Sequence, residues 1–243
     1  MKKRIIITLL CVALIFTAAP CASAAQTSIE NSVQLADYSL LQRRNGHSPI
    51  TITEATLHRS ESDEDIYLIL LDGLCPTLKN PNNLAAVLLS SMNLSTVYLR
   101  RLKAMVEENV PAGSKLVLYG YSLGGMIAQQ LADDKDIKAD YEIIHTITAG
   151  APKVLTLTPE GGFSRLALIG DIVPYLPVFG VIFSSSVFSR ESGDYGLLLY
   201  SAHSKGYSRS DIWEGYDCLG IKGGSSYITI SPDAESFYSL YVE

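Results

Sequence analysis

A serine stands at a predicted strand-to-helix bend in the sequence LVLYGYSLGGMIAQQLA, residues 116–132. The strand-forming residues stop at Gly120, and Ser122 is followed by Gly124 and Gly125, which gives the pattern G-x-S-x-G. Small neighbours allow the serine backbone to adopt a strained turn. That turn pushes the hydroxyl out over a sheet edge, close to the N-terminus of a helix that stabilises negative charge. The pattern predicts a nucleophilic serine suited to acyl transfer.

A serine hydroxyl needs a base to take its proton, and the chain has four histidines. His47 lies in a polar N-terminal segment and His58 follows an early strand. His145 stands within the apolar run EIIHTIT, where a core histidine is the simpler interpretation. His203 comes after all other candidates, which agrees with the chain order serine, acid, histidine. We therefore predict that His203 is the base, and a surface-loop histidine is the alternative.

The base needs a carboxylate to hold its imidazole in the correct tautomer. Asp171 ends the predicted strand LALIG and is followed by a proline-stiffened segment, DIVPYLP. A carboxylate at the end of a buried strand requires a partner, so we predict Asp171 as the acid, with a turn or helix-capping role as the alternative. Four other aspartates belong to a charged helix end and are expected to be solvated: Asp133, Asp134, Asp136 and Asp140.

The elements that would position these residues alternate between strands and helices. Apolar runs that end in glycine predict buried strands, and helical spacing of apolar residues predicts a helix over 94–110. This order predicts an α/β fold with a mostly parallel central sheet flanked by helices, whose crevice opens at the carboxyl ends of the strands. The predicted strands are ITITEATL, IYLILLDG, KLVLYG, YEIIHTITAGAP and SRLALIGD.

The first 24 residues have the pattern of a secretory signal peptide. Three basic residues precede an apolar run over 5–19, and the small-residue sequence ASA at 22–24 is a cleavage signal. The alternative, an N-terminal membrane anchor, is disfavoured because the run is short. We expect removal of residues 1–24, export to the periplasm or the extracellular space, and a single domain over 25–243.

The net charge limits the classes of partner that the protein can bind. The mature chain has 16 basic and 25 acidic residues, a net charge of −9, which argues against nucleic acid as a partner.

Two cysteines, Cys75 and Cys218, remain after cleavage. In an oxidising compartment two such thiols form a disulfide bond, and two buried free thiols are the alternative. Nothing in the sequence indicates a metal ion or another cofactor.

Four segments in order resemble the class 3 lipase family, the fungal-type triacylglycerol lipases and their bacterial relatives. They are GYSLGG, TAGAPKV (148–154), GDIVPYLP (170–177) and AHSKGYS (202–208). The resemblance covers about residues 66–207. It implies an α/β-hydrolase fold with Ser122 as nucleophile, Asp171 as acid and His203 as base.

Two positions depart from the family pattern. Tyr121 replaces a histidine, a variation expected to leave the mechanism unchanged. The family has Arg-Gly-Thr or Arg-Gly-Ser where this chain has Asp72-Gly73-Leu74. The oxyanion hole would then consist of the backbone N–H groups of Leu123 and Leu74, without a side-chain hydroxyl.

Two apolar stretches, residues 84–94 and 178–188, are predicted either to form a lid or an acyl pocket or to pack in the core. The resulting expectation is an exported serine hydrolase of lipid carboxylic esters, a lipase or phospholipase, that acts at a membrane or micelle surface. An acyltransferase or thioesterase with the same triad is an alternative. A non-catalytic protein that binds a lipid or a partner is another. The sequence does not indicate an oligomeric state.

Overall fold

The structure is a computed structural model that describes residues 25–74, 82, 86, 90, 94–154, 160–175, 189–191 and 200–239. Strands and helices alternate through the middle of the chain. The strands are β1 (Thr27–Ile29), β2 (Ile50–His58), β3 (Asp63–Leu71), β4 (Lys115–Tyr121), β5 (Glu142–Ala149), β6 (Gly162–Leu168), β7 (Ser189–Glu191), β8 (Tyr227–Ile230) and β9 (Ser236–Ser239). The helices are α1 (Ser32–Arg44), α2 (Val97–Asn109), α3 (Leu123–Asp133), α4 (Lys135–Asp140), α5 (Tyr200–Lys205) and α6 (Ser210–Trp213).

The strands of the described ranges form one curled sheet in the order β1-β8-β2-β3-β4-β5-β6-β7, and β9 also pairs with β2. The pairings β3–β4, β4–β5, β5–β6 and β6–β7 are parallel. The pairings β1–β8, β2–β3, β2–β8 and β2–β9 are antiparallel. The α/β class is therefore confirmed, whereas the prediction of a mostly parallel sheet is wrong, because half of the sheet is antiparallel.

The mixed character of the sheet follows from short connections. Only residues 59–62 separate β2 from β3, and so short a link joins antiparallel neighbours because a parallel crossover needs a dozen or more residues. On its other side, β2 pairs with β9 over residues 50–53 and with β8 over residues 56–58. The strands predicted from the sequence did not include β1, β7, β8 and β9.

Helices cover both faces of the parallel half of the sheet. Leu68 and Leu70 of β3 pack in one buried cluster with residues of α1 and α6, whereas Ile69 and Leu71 pack in a second cluster with α2 and α3. A strand that is buried on both faces has apolar residues at every position. This double burial explains the continuous apolar run that the sequence shows.

The predicted helix over 94–110 is present as α2. Thr96 is its N-cap, and its side chain accepts a hydrogen bond from the Leu99 N–H. Leu102 is fully buried on the face towards the sheet, whereas Val97 on the same helix is 58% exposed. The helix ends at Asn109, before Pro111, which cannot continue it.

The burial of α2 generates a stability prediction. Leu102→Ala should lower the free energy of unfolding by about 2–5 kcal/mol, because it leaves a cavity between helix and sheet. The exposed position gives a matched control, and Val97→Ala should change stability by no more than about 0.5 kcal/mol. Urea titration followed by circular dichroism measures both, and equal losses in the two variants would contradict this packing.

Candidate active site

Ser122 occupies a strained bend between β4 and α3. Its φ is 54° and its ψ is −120°. Among the described residues other than glycine, Ser122 alone has a positive φ. Such a conformation costs about 1–3 kcal/mol and persists only where the surroundings enforce it. The Ser122 N–H donates to the carbonyl of Ala149 at 2.9 Å, which ties the bend to the end of β5.

Glycines around the bend allow α3 to lie directly on the strand ends. A β-carbon on Gly124 would lie 2.1 Å from the carbonyl oxygen of Leu71, and one on Gly120 would lie 2.4 Å from the carbonyl oxygen of Gly124. A β-carbon on Gly125 would lie 2.5 Å from the β-carbon of Ala151. All three distances are too short for a side chain, so the helix N-terminus contacts β3, β4 and the residues after β5.

The Ser122 hydroxyl does not cap its own helix, although serine is a common N-cap residue. Instead Ser122 Oγ lies 3.0 Å from Nε2 of His203, a residue of α5. Nδ1 of His203 lies 2.8 Å from Oδ2 of Asp171. A carboxylate only accepts hydrogen bonds, so Nδ1 carries the proton in the neutral imidazole and Nε2 accepts from the serine hydroxyl.

Asp171 is fully buried three residues beyond the end of β6. Its Oδ2 accepts from the Tyr207 hydroxyl at 2.8 Å as well as from His203, and its Oδ1 accepts from the Val173 N–H at 2.9 Å. These donors offset the cost of burying the carboxylate. Burial, and the neighbouring carboxylate, raise the pKa of Tyr207 well above its usual value, so that the phenol remains a donor.

The structure thus brings Ser122, His203 and Asp171 together, and two tyrosines lie beside them: Tyr121, for which the sequence predicted no role, and Tyr207, which it did not single out. Tyr207 holds the acid, and Tyr121 contacts the base: its hydroxyl lies 2.6 Å from the His203 carbonyl oxygen. Tyr207 follows His203 by four residues, a spacing that places two side chains on one side of a helical segment. That spacing was a usable signal for Tyr207.

The residues predicted as oxyanion donors are Leu123, which follows the serine in the chain, and Leu74, whose neighbour Gly73 lies against it. Leu123 is the first residue of α3, where N–H groups have no partner within the helix. Leu74 follows Gly73, and a β-carbon on Gly73 would lie 3.1 Å from the β-carbon of Ser122. The backbone before Leu74 is held in place: Asp72 N–H donates to Pro49 O at 3.0 Å, and the Asn82 amide donates to Gly73 O at 2.6 Å.

Asp72, which departs from the family pattern, faces away from solvent. Its carboxylate accepts a short hydrogen bond from the Ser48 hydroxyl, and Arg43 Nε lies 3.9 Å away. Burial raises the pKa of Asp72, and the Ser48 hydroxyl and the Arg43 charge oppose that shift. The side chain thus bonds to the segment before β2.

The other histidines considered above have partners of their own. His47 stacks on Tyr238, His58 pairs with Asp63, and His145 is buried with Nε2 2.8 Å from Ser164 Oγ, as expected of a core histidine. Asp134 caps α4 and forms an ion pair with Lys103.

Some predictions fall on residues that the structure does not describe. The signal peptide over 1–24, the stretch 178–188 and most of 84–94 lie outside the described residues, as does Cys75. The predicted disulfide bond is not found, and Cys218 is a free, fully buried thiol in the hydrophobic core. Its alternative, a buried free thiol, matches what the structure shows for this residue.

Other features bear on cofactors and membranes. No three His, Cys, Asp or Glu side chains of the described ranges are grouped so as to hold a metal ion. None of the described helices combines the length and the hydrophobicity that a membrane crossing requires.

A surface cavity of about 650 Å³ lies at the amino end of β4 and is lined in part by Glu54, Tyr67 and Lys115. Ser122 follows the carboxyl end of the same strand, so the cavity lies away from the triad.

Comparison with known proteins finds no matching family model, no similar curated protein and no similar solved structure.

The packing of the bend generates a prediction. Gly124→Ala should destabilise the protein by about 1–3 kcal/mol or more, because the new methyl group would displace α3 from Leu71. It should also abolish any reaction at Ser122. Gly215→Ala is the matched control, since a β-carbon there has no neighbour within 4 Å. Thermal unfolding of both variants measures the difference. If Gly124→Ala unfolds at the same temperature as wild type, the close contact between α3 and Leu71 is refuted.

The buried histidine generates a pH prediction. Burial lowers the pKa of His145 from its usual 6.5 to about 4, although the Asp217 charge opposes the shift. The unfolded chain therefore binds a proton that the folded protein does not, and stability should fall by about 3 kcal/mol as the pH drops from 6.5 to 4. His145→Gln should lose less stability over this range. Unfolding in urea at several pH values tests this. If the free energy of unfolding falls equally with pH in wild type and in His145→Gln, the prediction is contradicted.

Proposed function

We propose that the protein is a serine hydrolase of the α/β-hydrolase type. The observation that carries this proposal is the continuous hydrogen-bonded line from Ser122 through His203 to Asp171. Ser122 has a strained backbone and lies at the N-terminus of a helix, and the buried carboxylate of Asp171 orients the His203 imidazole. This arrangement matches the geometric requirements for an activated nucleophile.

Within that class, we propose an exported enzyme that hydrolyses carboxylic esters of lipids, similar to the class 3 lipases. Four sequence segments in the order of that family support this assignment. An exposed apolar side chain also supports it: Leu74 is 40% exposed and follows Gly73, whose backbone lies against Ser122. An apolar surface at the reacting serine suits an acyl chain.

The proposed reaction proceeds through an acyl-enzyme. Ser122 Oγ attacks the ester carbonyl carbon while His203 Nε2 takes its proton, and the N–H groups of Leu123 and Leu74 stabilise the oxyanion. The C–O bond to the alcohol then breaks, and His203 returns the proton to the leaving oxygen. Water attacks the acyl-enzyme with the same base and releases the carboxylic acid. Asp171 stabilises the imidazolium in both halves of the reaction.

Fluorophosphonate labelling of the mature protein, residues 25–243, tests the nucleophile. Wild type should form one covalent adduct on Ser122, identified by peptide mass spectrometry. The adduct should be absent in Ser122→Ala and slowed by about 10³-fold or more in His203→Ala. Ser164→Ala is a matched control, because Ser164 is likewise bonded to a histidine, His145, but is buried and lies outside the triad.

The substrate class needs a second measurement. Short- and long-chain nitrophenyl esters and a phospholipid vesicle are incubated with wild type and Ser122→Ala, and the released acid and alcohol are quantified. We expect hydrolysis of carboxylic esters by wild type alone. Acyl release to an added alcohol rather than to water would indicate an acyltransferase, and absence of both labelling and turnover would indicate a binding protein. Equal rates for the two proteins would reject Ser122 as the nucleophile.

A further inference from the structure

The residue before the serine makes two contacts with the base. The Tyr121 hydroxyl donates to the carbonyl oxygen of His203 at 2.6 Å. The Tyr121 ring also stacks on the His203 imidazole, with the centroids 5.0 Å apart and the planes inclined by 28°. The first contact holds the backbone of His203 and the second faces its side chain.

Tyr121 also contacts the neighbours of the other two triad residues. Its ring meets Tyr207, which donates to Asp171, edge to face at 6.2 Å. On its other side, a β-carbon on Gly73 would lie 3.1 Å from Tyr121 Cδ1, so the ring touches the backbone that leads to Leu74. The side chain therefore lies between the segment that supplies an oxyanion donor, the base and the tyrosine that holds the acid.

The element that carries His203 needs such an external contact. Helix α5 has six residues, too few for a helix to be stable by its own hydrogen bonds. The His203 carbonyl belongs to the last turn of α5, where carbonyl groups lack a partner within the helix. The Tyr121 hydroxyl supplies that partner. Tyr121 is the last residue of β4, a central strand of the sheet, and it directly precedes Ser122.

We propose that Tyr121 is a positioning residue that holds His203 in register with Ser122. This inference adds a residue to the proposed mechanism, and its expected effects on kcat rest on the proposed function. The hydroxyl fixes the backbone of α5 at His203, and the ring restricts the imidazole to the plane in which Nε2 meets Ser122 Oγ. An aromatic face also stabilises a cation above it, so the same ring favours the imidazolium that forms when His203 takes the serine proton.

The hydroxyl and the ring can be separated by substitution. Tyr121→Phe removes the hydrogen bond and keeps the ring, whereas Tyr121→Leu removes both. We expect kcat for a soluble nitrophenyl ester to fall about 10-fold in Tyr121→Phe and about 100-fold in Tyr121→Leu, because the base is misplaced by a fraction of an ångström or more. KM should stay within about twofold, since Tyr121 aligns the base and is assigned no contact with the ester.

Tyr141→Phe is the matched control. The Tyr141 hydroxyl, just before β5, also donates to carbonyl groups at the C-terminus of a helix. The acceptors are the carbonyl groups of Val106 in α2 and of Val110, the residue that follows α2. Tyr141→Phe therefore removes the same kind of bond far from the triad, and it should lose stability without losing kcat. Equal kcat in wild type and Tyr121→Phe, or an equal loss of kcat in Tyr121→Phe and Tyr141→Phe, would overturn the proposal.

A spectroscopic measurement keeps this inference separate from the proposed function. The ring Nδ1 proton of His203, bonded to Asp171, gives a downfield proton NMR signal in 15N-histidine-labelled protein, assigned by its loss in His203→Gln. We expect this signal to broaden or shift upfield in Tyr121→Phe and to remain unchanged in Tyr141→Phe. If wild type neither labels nor turns over while this pattern holds, the enzyme assignment fails and the positioning role stands. An unchanged signal in Tyr121→Phe overturns the positioning role, whatever the activity.

Discussion

The close contact between the first turn of α3 and the ends of β3, β4 and β5 is the constraint on which the site depends. Glycine is required at positions 120, 124 and 125 because backbone atoms or a methyl group occupy the space of a side chain. This contact forces Ser122 into a positive φ and turns its hydroxyl away from its own helix. The strain at one residue is maintained by packing along three strands, in agreement with the general observation that strain persists where the surroundings enforce it.

A second requirement is electrostatic. Asp171 is fully buried, and a carboxylate in such a place is stable only with several donors. His203, Tyr207 and the Val173 N–H fill this role from different directions. Because two of these donors share Oδ2, the position of the phenol also limits where the imidazole can lie. The same bonds that make burial of the acid tolerable therefore orient the base.

The main chain that would supply the proposed oxyanion donor at Leu74 is held by several hydrogen bonds. The Asp72 carboxylate accepts one from the Ser48 hydroxyl. The main chain at Asp72 and Gly73 is held by Pro49, by the Tyr98 hydroxyl and by Asn82. A donor held rigidly by its neighbours needs little reorganisation when charge develops. Backbone N–H groups at Leu74 and Leu123 are thus a consistent alternative to a hydroxyl donor.

Local patterns in the sequence were sufficient to predict the strand-to-helix bend at Ser122 and the parallel strands around it. They also singled out Asp171 and His203, which the folded chain brings into line with Ser122. Glycines, apolar runs and chain order are properties of short segments, so they can be read without coordinates. The antiparallel half of the sheet could not be predicted in this way, because the pairing of β8 and β9 with β2 depends on contacts across more than 160 residues. The roles of Tyr121 and Tyr207 likewise appear only in the folded chain. A phenol becomes a donor to the acid or to the base's carbonyl only when packing brings the groups within hydrogen-bonding distance and excludes the water that would otherwise compete.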